Sequence, residues 1–375
     1  MGKEKIKYYS IRNLIKAIPD AHYYVVWGER SNGKTYSTLD FMTEDYFKNG
    51  HKFALIRRYK EDFRSKRAKS MFNGIVQNHL IEKYSKGKWN SVYYYAQQWF
   101  FMKVDMKTKE RVIDDEPFAY CFSISDSEHD KSTAYPDVYN ILFDEFITRD
   151  SYLNDEFVEF ENLLSTIIRL RTGVKIFMLG NTINPYNPYF KEMGLTNAKN
   201  MNVGSRDVYT YGDSGLRVAC EFSDMPNKDK ASNVYFAFNN PKLNMITGKN
   251  GVWEIAIYPH LTKEMKYDIT NVIYRYYVEW ENDLLECEIV RKDDMSFTFV
   301  HNKTTPIRED NTNIVFSTIH NPKPNYRRKI TKSIDNIGEI IIYFFQTEKV
   351  FYQSNECGEI MRNYIQWCKQ TKIEY

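Results

Sequence analysis

Cysteine chemistry is thin in this sequence. The five cysteines, at positions 121, 220, 287, 357 and 368, form no C-x-x-C pair, and none stands at metal-ligand spacing from a histidine. That argues against a disulfide framework or a zinc site and for free thiols in a reducing compartment. Long apolar runs are missing as well. The longest, 337–345, contains Glu339 and is too short to cross a bilayer. The first ten residues are polar and charged, unlike a secretory leader, and Gly2 lacks the downstream Ser or Thr of a myristoylation signal. A soluble, intracellular protein with no membrane partner is expected. Charge of one sign is scarce too: 52 Lys and Arg against 49 Asp and Glu leave a formal +3. Such a balance does not argue for nucleic acid by itself, so any basic surface must be local. No internal repeat or low-complexity tract is visible.

Aromatic residues, in contrast, are abundant, with 30 Tyr and 24 Phe in 375 residues. Bulky, strand-rich cores follow, and the length suggests two domains. In the first half, short apolar runs at 23–27, 53–57, 93–104, 118–124, 139–143 and 175–180 read as strands, and 34–48, 60–83 and 154–170 as helices. Apolar runs without alternation suit strands covered on both faces, as in a doubly wound parallel α/β sheet over residues 1–200. Residues 201–231, rich in Asn, Asp, Lys, Gly and Ser, read as a linker or lid subdomain. Over 232–375, close-set strands at 253–258, 272–279, 284–290, 296–300 and 313–318 precede helix-like stretches at 325–335 and 354–370, the order of a smaller α+β domain.

The stretch Gly28-Glu29-Arg30-Ser31-Asn32-Gly33-Lys34-Thr35 fits G-x-x-x-x-G-K-[ST] at every fixed position, after a β-branched strand and before a helical pattern. Glycines let the backbone curl so that its N–H groups point at phosphate oxygens. Lys34 would reach the β- and γ-phosphates, the Thr35 hydroxyl would ligate Mg²⁺, and the helix opening at Lys34, Thr35 and Tyr36 would add its dipole beneath the phosphates. The cofactors expected are therefore ATP and Mg²⁺. A second acidic site is needed for the metal. Asp144 ends an apolar strand, where it would orient Mg²⁺, and Glu145 would polarise the attacking water. A third strand ends in Gly180-Asn181-Thr182, and Asn181 would sense the γ-phosphate.

These motifs in this order resemble the large-terminase-type ATPases that pump DNA into viral heads, in detail the packaging ATPases of small podophages, the phi-29 type. The match is carried by the P-loop, Ile56-Arg57-Arg58-Tyr59-Lys60, the segments at 131–138, 143–146 and 180–182, and Asn187-Pro188-Tyr189-Phe190. The resemblance implies an ASCE-type P-loop NTPase domain followed by a vestigial nuclease domain of RNase H shape. It implies a homo-oligomeric ring, a pentamer, in which a neighbour completes each site. Arg169 would be the trans-acting finger and Lys131 a second trans-acting cation. Arg57, Arg58 and Lys60 match a basic segment near nucleotide or DNA, although 57–69, with seven cations and two acids, also reads as a solvated helical face. In the C-terminal region, Asp293 and Asp294 fall in a hairpin turn, while Asp283 and Asp335 stand alone. A working nuclease needs clustered carboxylates for two metals, so a non-cutting domain is expected. The basic stretch 323–332, with Arg327 and Arg328, either holds DNA, RNA or the portal, or is a solvated helix.

The expected function is thus an ATP-driven motor that translocates double-stranded DNA into a procapsid in the host cytoplasm. Its partners would be DNA, the portal and possibly a structural RNA. The alternatives are a nucleotide-gated binding protein on the portal that moves nothing, and a terminase with an active nuclease.

Overall fold

In the computed structural model the chain divides into two compact units, Met1–Glu254 and Ile255–Tyr375. The structure describes residues 8–126, 135–148, 152–153, 155–182, 184–224, 258–280, 283–308, 313–331 and 336–370.

Among the described residues, the first unit is built on nine strands: β1 (Tyr23–Gly28), β2 (Lys52–Arg57), β3 (Ser91–Tyr95), β4 (Gln98–Val104), β5 (Arg111–Ser123), β6 (Val138–Asp144), β7 (Lys175–Asn181), β8 (Arg206–Tyr211) and β9 (Leu216–Ser223). Their order is β3-β4-β5-β2-β6-β7-β1-β9-β8. The six central strands, β5 to β9 in that order, run parallel, and the outer pairs are antiparallel. All six residues of β1 are buried, as the unalternating apolar run requires of a strand covered on both faces.

On one face, α1 (Ile11–Ala17) and α2 (Lys34–Asn49) join the core of Tyr24, Val26, Leu55, Phe177 and Leu179 through Ile11, Leu14, Leu39 and Met42. On the other face lie α6 (Glu156–Ile168) and α7 (Pro188–Glu192). Phe160 packs 5.0 Å from Phe143, and Phe190 packs 4.9 Å from Trp27. The sheet is therefore doubly wound, with β7 interposed between the P-loop strand β1 and the acidic strand β6, as an ASCE arrangement requires.

Four sequence readings need correction. The run 93–104 is not one strand but the β3–β4 hairpin, because Ala96 and Gln97 both take positive φ, 47° and 62°, the geometry of a tight primed turn without its usual glycine. The run 60–83 is not one helix: a 3₁₀ turn, Lys60–Phe63, precedes α3 (Ser65–Ser70), α4 (Asn73–Gln77) and α5 (Leu80–Tyr84). Its buried residues Phe63, Ala68, Phe72, Ile75 and Ile81 include gaps of five and six, which no single helical stripe accommodates. The described part of 201–231 is no linker, since β8 and β9 extend the main sheet beside β1. Finally, 325–331 is not helical: it holds the short strand Tyr326–Arg327, and the next helix begins at Asn336.

The second unit is a six-stranded sheet of β10 (Val272–Trp280), β11 (Asp283–Lys292), β12 (Met295–Asn302), β13 (Ile314–Ser317), β14 (Tyr326–Arg327) and β15 (Val350–Tyr352), ordered β14-β13-β10-β11-β12-β15. β10, β11 and β12 form an antiparallel meander, and β13 joins β10 in parallel. That is RNase H-like order, with α8 (Asn336–Gln346) and α9 (Asn355–Gln370) packed on one face through Ile341, Phe344, Met361 and Tyr364. The strand expected at 253–258 lies largely outside the described residues.

Candidate nucleotide site

The parallel strands bring Gly28, Arg57, Asp144, Asn181 and Ser223 to one carboxyl edge, where ligands of open α/β sheets are held. Gly28 pairs with both Asn181 and Ser223. A Cβ on Gly28 would meet Ser223 Oγ at 2.1 Å, so this close approach of β1 and β9 requires glycine. After the turn, Gly33 takes φ 96° as the residue before α2, where a side chain would also crowd Tyr8.

The loop curls around Lys34. Its ammonium donates to the carbonyls of Gly28 (3.1 Å) and Glu29 (2.8 Å) and to Asn32 Oδ1 (3.3 Å). Burial pulls the Lys34 pKa down to about 8, against the opposing pull of Asp144 and Glu29. Asn32, itself buried, donates to Ser223 Oγ at 2.8 Å, tying the loop to β9.

Opposite the loop, Thr35 Oγ1 donates to Asp144 Oδ1 at 3.1 Å. Arg57 bridges the acidic pair, 2.8 Å from Asp144 and 2.6 Å from Glu145. Burial raises the Asp144 pKa, Arg57 opposes the rise, and the Glu145 charge adds to it. Glu145 sits at φ 64°, and its N–H donates to Leu179 O at 2.8 Å, turning the residue out of the strand while its side chain stays largely exposed. A cleft of about 340 Å³ is lined by Arg30, Ser31, Asn32, Gly33, Lys34, Thr35, Tyr36, Asp144, Glu145, Leu179, Gly180 and Asn181.

The donor set fits a magnesium-bound nucleoside triphosphate. A buried cation and the first-turn N–H groups of a 16-residue helix are donors of the kind phosphate oxygens need, and a hydroxyl and a carboxylate 3.1 Å apart could offer two oxygen ligands to a hard divalent ion.

The remaining predicted residues fall elsewhere. Arg57 stands beside the cleft, paired with Asp144 and Glu145. Arg58 is not available to phosphates: it is buried, and its guanidinium grips Glu156 at 2.7 and 2.8 Å. A buried cation must be paired, and here the pairing is internal. Lys60 is exposed and pairs with Asp126 at 2.6 Å. Arg169 closes α6, whose following strand β7 starts at the sheet edge opposite the cleft, so it is not part of its own chain's cleft. Lys131 lies outside the described residues. In the second unit, Arg327 is on the edge strand β14, and Arg328 stacks 5.2 Å over Trp367 of α9.

Sequence reasoning missed Ser223, because its strand read as a linker, and Glu156, which carries no motif signal. Asn187-Pro188-Tyr189-Phe190 proves architectural: Asn187 caps α7 by accepting from the Phe190 N–H at 3.0 Å, with Pro188 in its first turn.

The sequence pattern of the podovirus DNA encapsidation proteins (Gp16) matches residues 3–223. The chain belongs to this family. It is 30% identical over 173 residues to the DNA packaging protein of Bacillus phage B103, covering 45% of this chain and 47% of that one. To the DNA packaging protein of Bacillus phage phi29 it is 28% identical over 168 residues, 44% of each. The chain thus spans about half the length of the curated relatives it matches. Among solved structures, the Phi-28 gp11 DNA packaging motor superposes with a TM-score of 0.56 at 18% identity, covering 99% of this chain and all of that one. The bacteriophage Phi-29 viral genome packaging motor assembly gives 0.55 at 17%, covering 95% and 99%. Both units of this family member therefore share a fold with packaging-motor subunits.

Proposed function

We propose that this chain is the ATPase subunit of a ring-shaped motor that drives double-stranded viral DNA into a procapsid in the host cytoplasm. The observation that carries the reading is the meeting of Lys34 and Thr35 with Asp144 and Glu145 in one cleft, in a member of the DNA encapsidation family. The names of its relatives, DNA packaging proteins, supply the polymer.

Lys34 leaves its own loop carbonyls to hold the β- and γ-phosphates, and the loop N–H groups orient the chain of phosphates. Thr35 and Asp144 would hold magnesium, which would supply positive charge to the phosphates. Glu145 accepts the proton of the attacking water, and Arg57 sets where that carboxylate stands. Asn181, at the tip of β7, borders the γ-phosphate position. Arg169 of a neighbouring subunit, with Lys131, supplies positive charge to the transferred phosphoryl group, so the isolated subunit turns over slowly. The exposed Lys60 and the half-buried Arg327 and Arg328 face DNA, a structural RNA or the portal.

ATPase turnover per subunit, measured against protein concentration with and without DNA, tests this. Turnover that climbs with concentration is expected. Equal turnover at all concentrations overturns the shared site, and a lack of magnesium-dependent ATP affinity overturns the motor itself.

A further inference from the structure

One buried joint beside the cleft has no part in holding phosphates or metal. Glu156 opens α6 with its side chain fully buried, and both of its oxygens are engaged. Oε2 accepts from Arg58 Nε at 2.7 Å and from the Leu153 N–H at 2.7 Å. Oε1 accepts from another Arg58 nitrogen at 2.8 Å and from the Tyr189 hydroxyl at 2.6 Å. The same guanidinium donates to the carbonyls of Phe146, at 2.8 Å, and Glu145, at 3.3 Å, and lies 5.0 Å over the Tyr152 ring. Burial disfavours the charged Arg58, yet the charge and hydrogen bonds of Glu156 hold its pKa above the usual arginine range. The guanidinium therefore stays charged.

This joint gathers the residue after β2, the backbone carrying Glu145, the start of α6 and the Tyr189 of α7. From Glu156 the helix runs 13 residues, about 20 Å, to the residue before Arg169. Phe160, Leu163, Leu164 and Ile167 are buried along it, so it moves as a rod if it moves at all.

We infer that Glu156 and Tyr189 are positioning residues for Arg169: they seat α6 against the backbone of Glu145, so that the state of a subunit's own cleft sets where it presents Arg169 to its neighbour. This rests on the proposed function, in which Arg169 acts across a subunit boundary.

The test uses mixed rings of full-length subunits. Glu145→Gln removes a subunit's own chemistry but leaves its finger, and Arg169→Ala does the reverse. If the trans reading holds, mixing the two recovers turnover that neither has alone. Tyr189→Phe, which removes one hydroxyl and leaves the ion pair, is then added to one partner at a time. Added to the Glu145→Gln partner, the finger donor, it is expected to lower recovered turnover at least fivefold. Added to the Arg169→Ala partner it is expected to change turnover less than twofold. Equal losses in both positions, or no loss in the donor, overturn the inference, because a merely structural hydroxyl has no reason to distinguish them. If the parental mixture recovers nothing, the trans reading falls and takes this inference with it. Arg58→Lys in the donor, which keeps the charge but not the fork, gives a second reading of the same asymmetry.

Discussion

Lys34 is the residue whose environment makes the sharpest demand. It is a buried lysine whose pKa burial pulls down to about 8. Phosphate oxygens favour its charged form, so above about pH 8 nucleotide binding must take up a proton. ATP affinity is then expected to fall as pH rises past 8, by up to about tenfold per unit. Titration calorimetry in buffers of different ionisation enthalpy reads both the affinity and the proton, and flat affinity from pH 7 to 9.5 would refute the assignment. The same shift acts on the nucleotide-free fold with the opposite sense. Its Lys34 binds protons less readily than an unfolded lysine at 10.5, so this group adds stability as pH rises from about 8 towards that value.

The acidic pair separates by role. Glu145→Gln should leave magnesium-dependent ATP binding within a few-fold and lower hydrolysis by at least about a hundredfold. Asp144→Asn should instead weaken the magnesium dependence of binding itself. Arg57→Gln removes the charge that restrains the rise in the Asp144 pKa, so the acid limb of the ATPase profile is expected to move to higher pH. An unmoved limb would mean that Asp144 is not the metal-bearing carboxylate.

At the scale of elements, the contact between β1 and β9 is the tightest constraint near the cleft. A methyl group on Gly28 would stand 2.1 Å from Ser223 Oγ and 2.9 Å from the Ser223 carbonyl. Gly28→Ala is expected to destabilise the first unit by about 1–3 kcal/mol. Adding Ser223→Ala should restore only part of that, because the carbonyl remains. Thermal unfolding of the single and double variants checks it, and full rescue would show that the hydroxyl alone sets the spacing.

This contact also marks the limit of what the sequence declares. The P-loop was legible because every fixed position of its motif answers a local demand, and Asp144 and Glu145 because they end an unbroken apolar strand. Five of the six central strands, all but β9, were legible for the same reason. Partners brought together only by sheet order were not. Ser223 is 191 residues from Asn32 and ends a strand whose flanking Asn, Asp and Gly residues looked like a linker. Arg58 looked like its neighbour Arg57, yet Arg57 ends β2 paired with Asp144 and Glu145, while Arg58, just past the strand, turns into the protein to Glu156. Ala96-Gln97 turns a hairpin with neither Gly nor Asn, so composition did not mark where the chain reverses.

Across the whole molecule, the second unit raises the question of whether this chain also cuts DNA. Its sheet has RNase H-like order, and that fold cleaves by holding two metals about 4 Å apart on clustered carboxylates. Among the described residues, one group brings carboxylate and imidazole atoms within 4.8 Å of one another: Glu286, Glu288 and His301, on β11 and β12. Sequence reasoning overlooked these residues in favour of aspartates at strand ends and turns. The cluster, however, already has its cation. Arg275 Nε stands 2.7 Å from Glu288 and 3.3 Å from Glu286. Glu286 also accepts from the N–H groups of Thr304 and Thr305, both at 2.9 Å, and from both threonine hydroxyls. Burial pushes the Glu286 pKa up, and these donors, Thr305 first, bring it below the usual value, so its charge is answered without a metal. A divalent ion would have to displace the half-buried Arg275 and uncouple its two ion pairs. Supercoiled DNA incubated with excess protein and Mn²⁺ or Mg²⁺ is therefore expected to stay supercoiled. Nicked or linear product that disappears in Glu288→Gln would overturn this and make the chain a cutting enzyme.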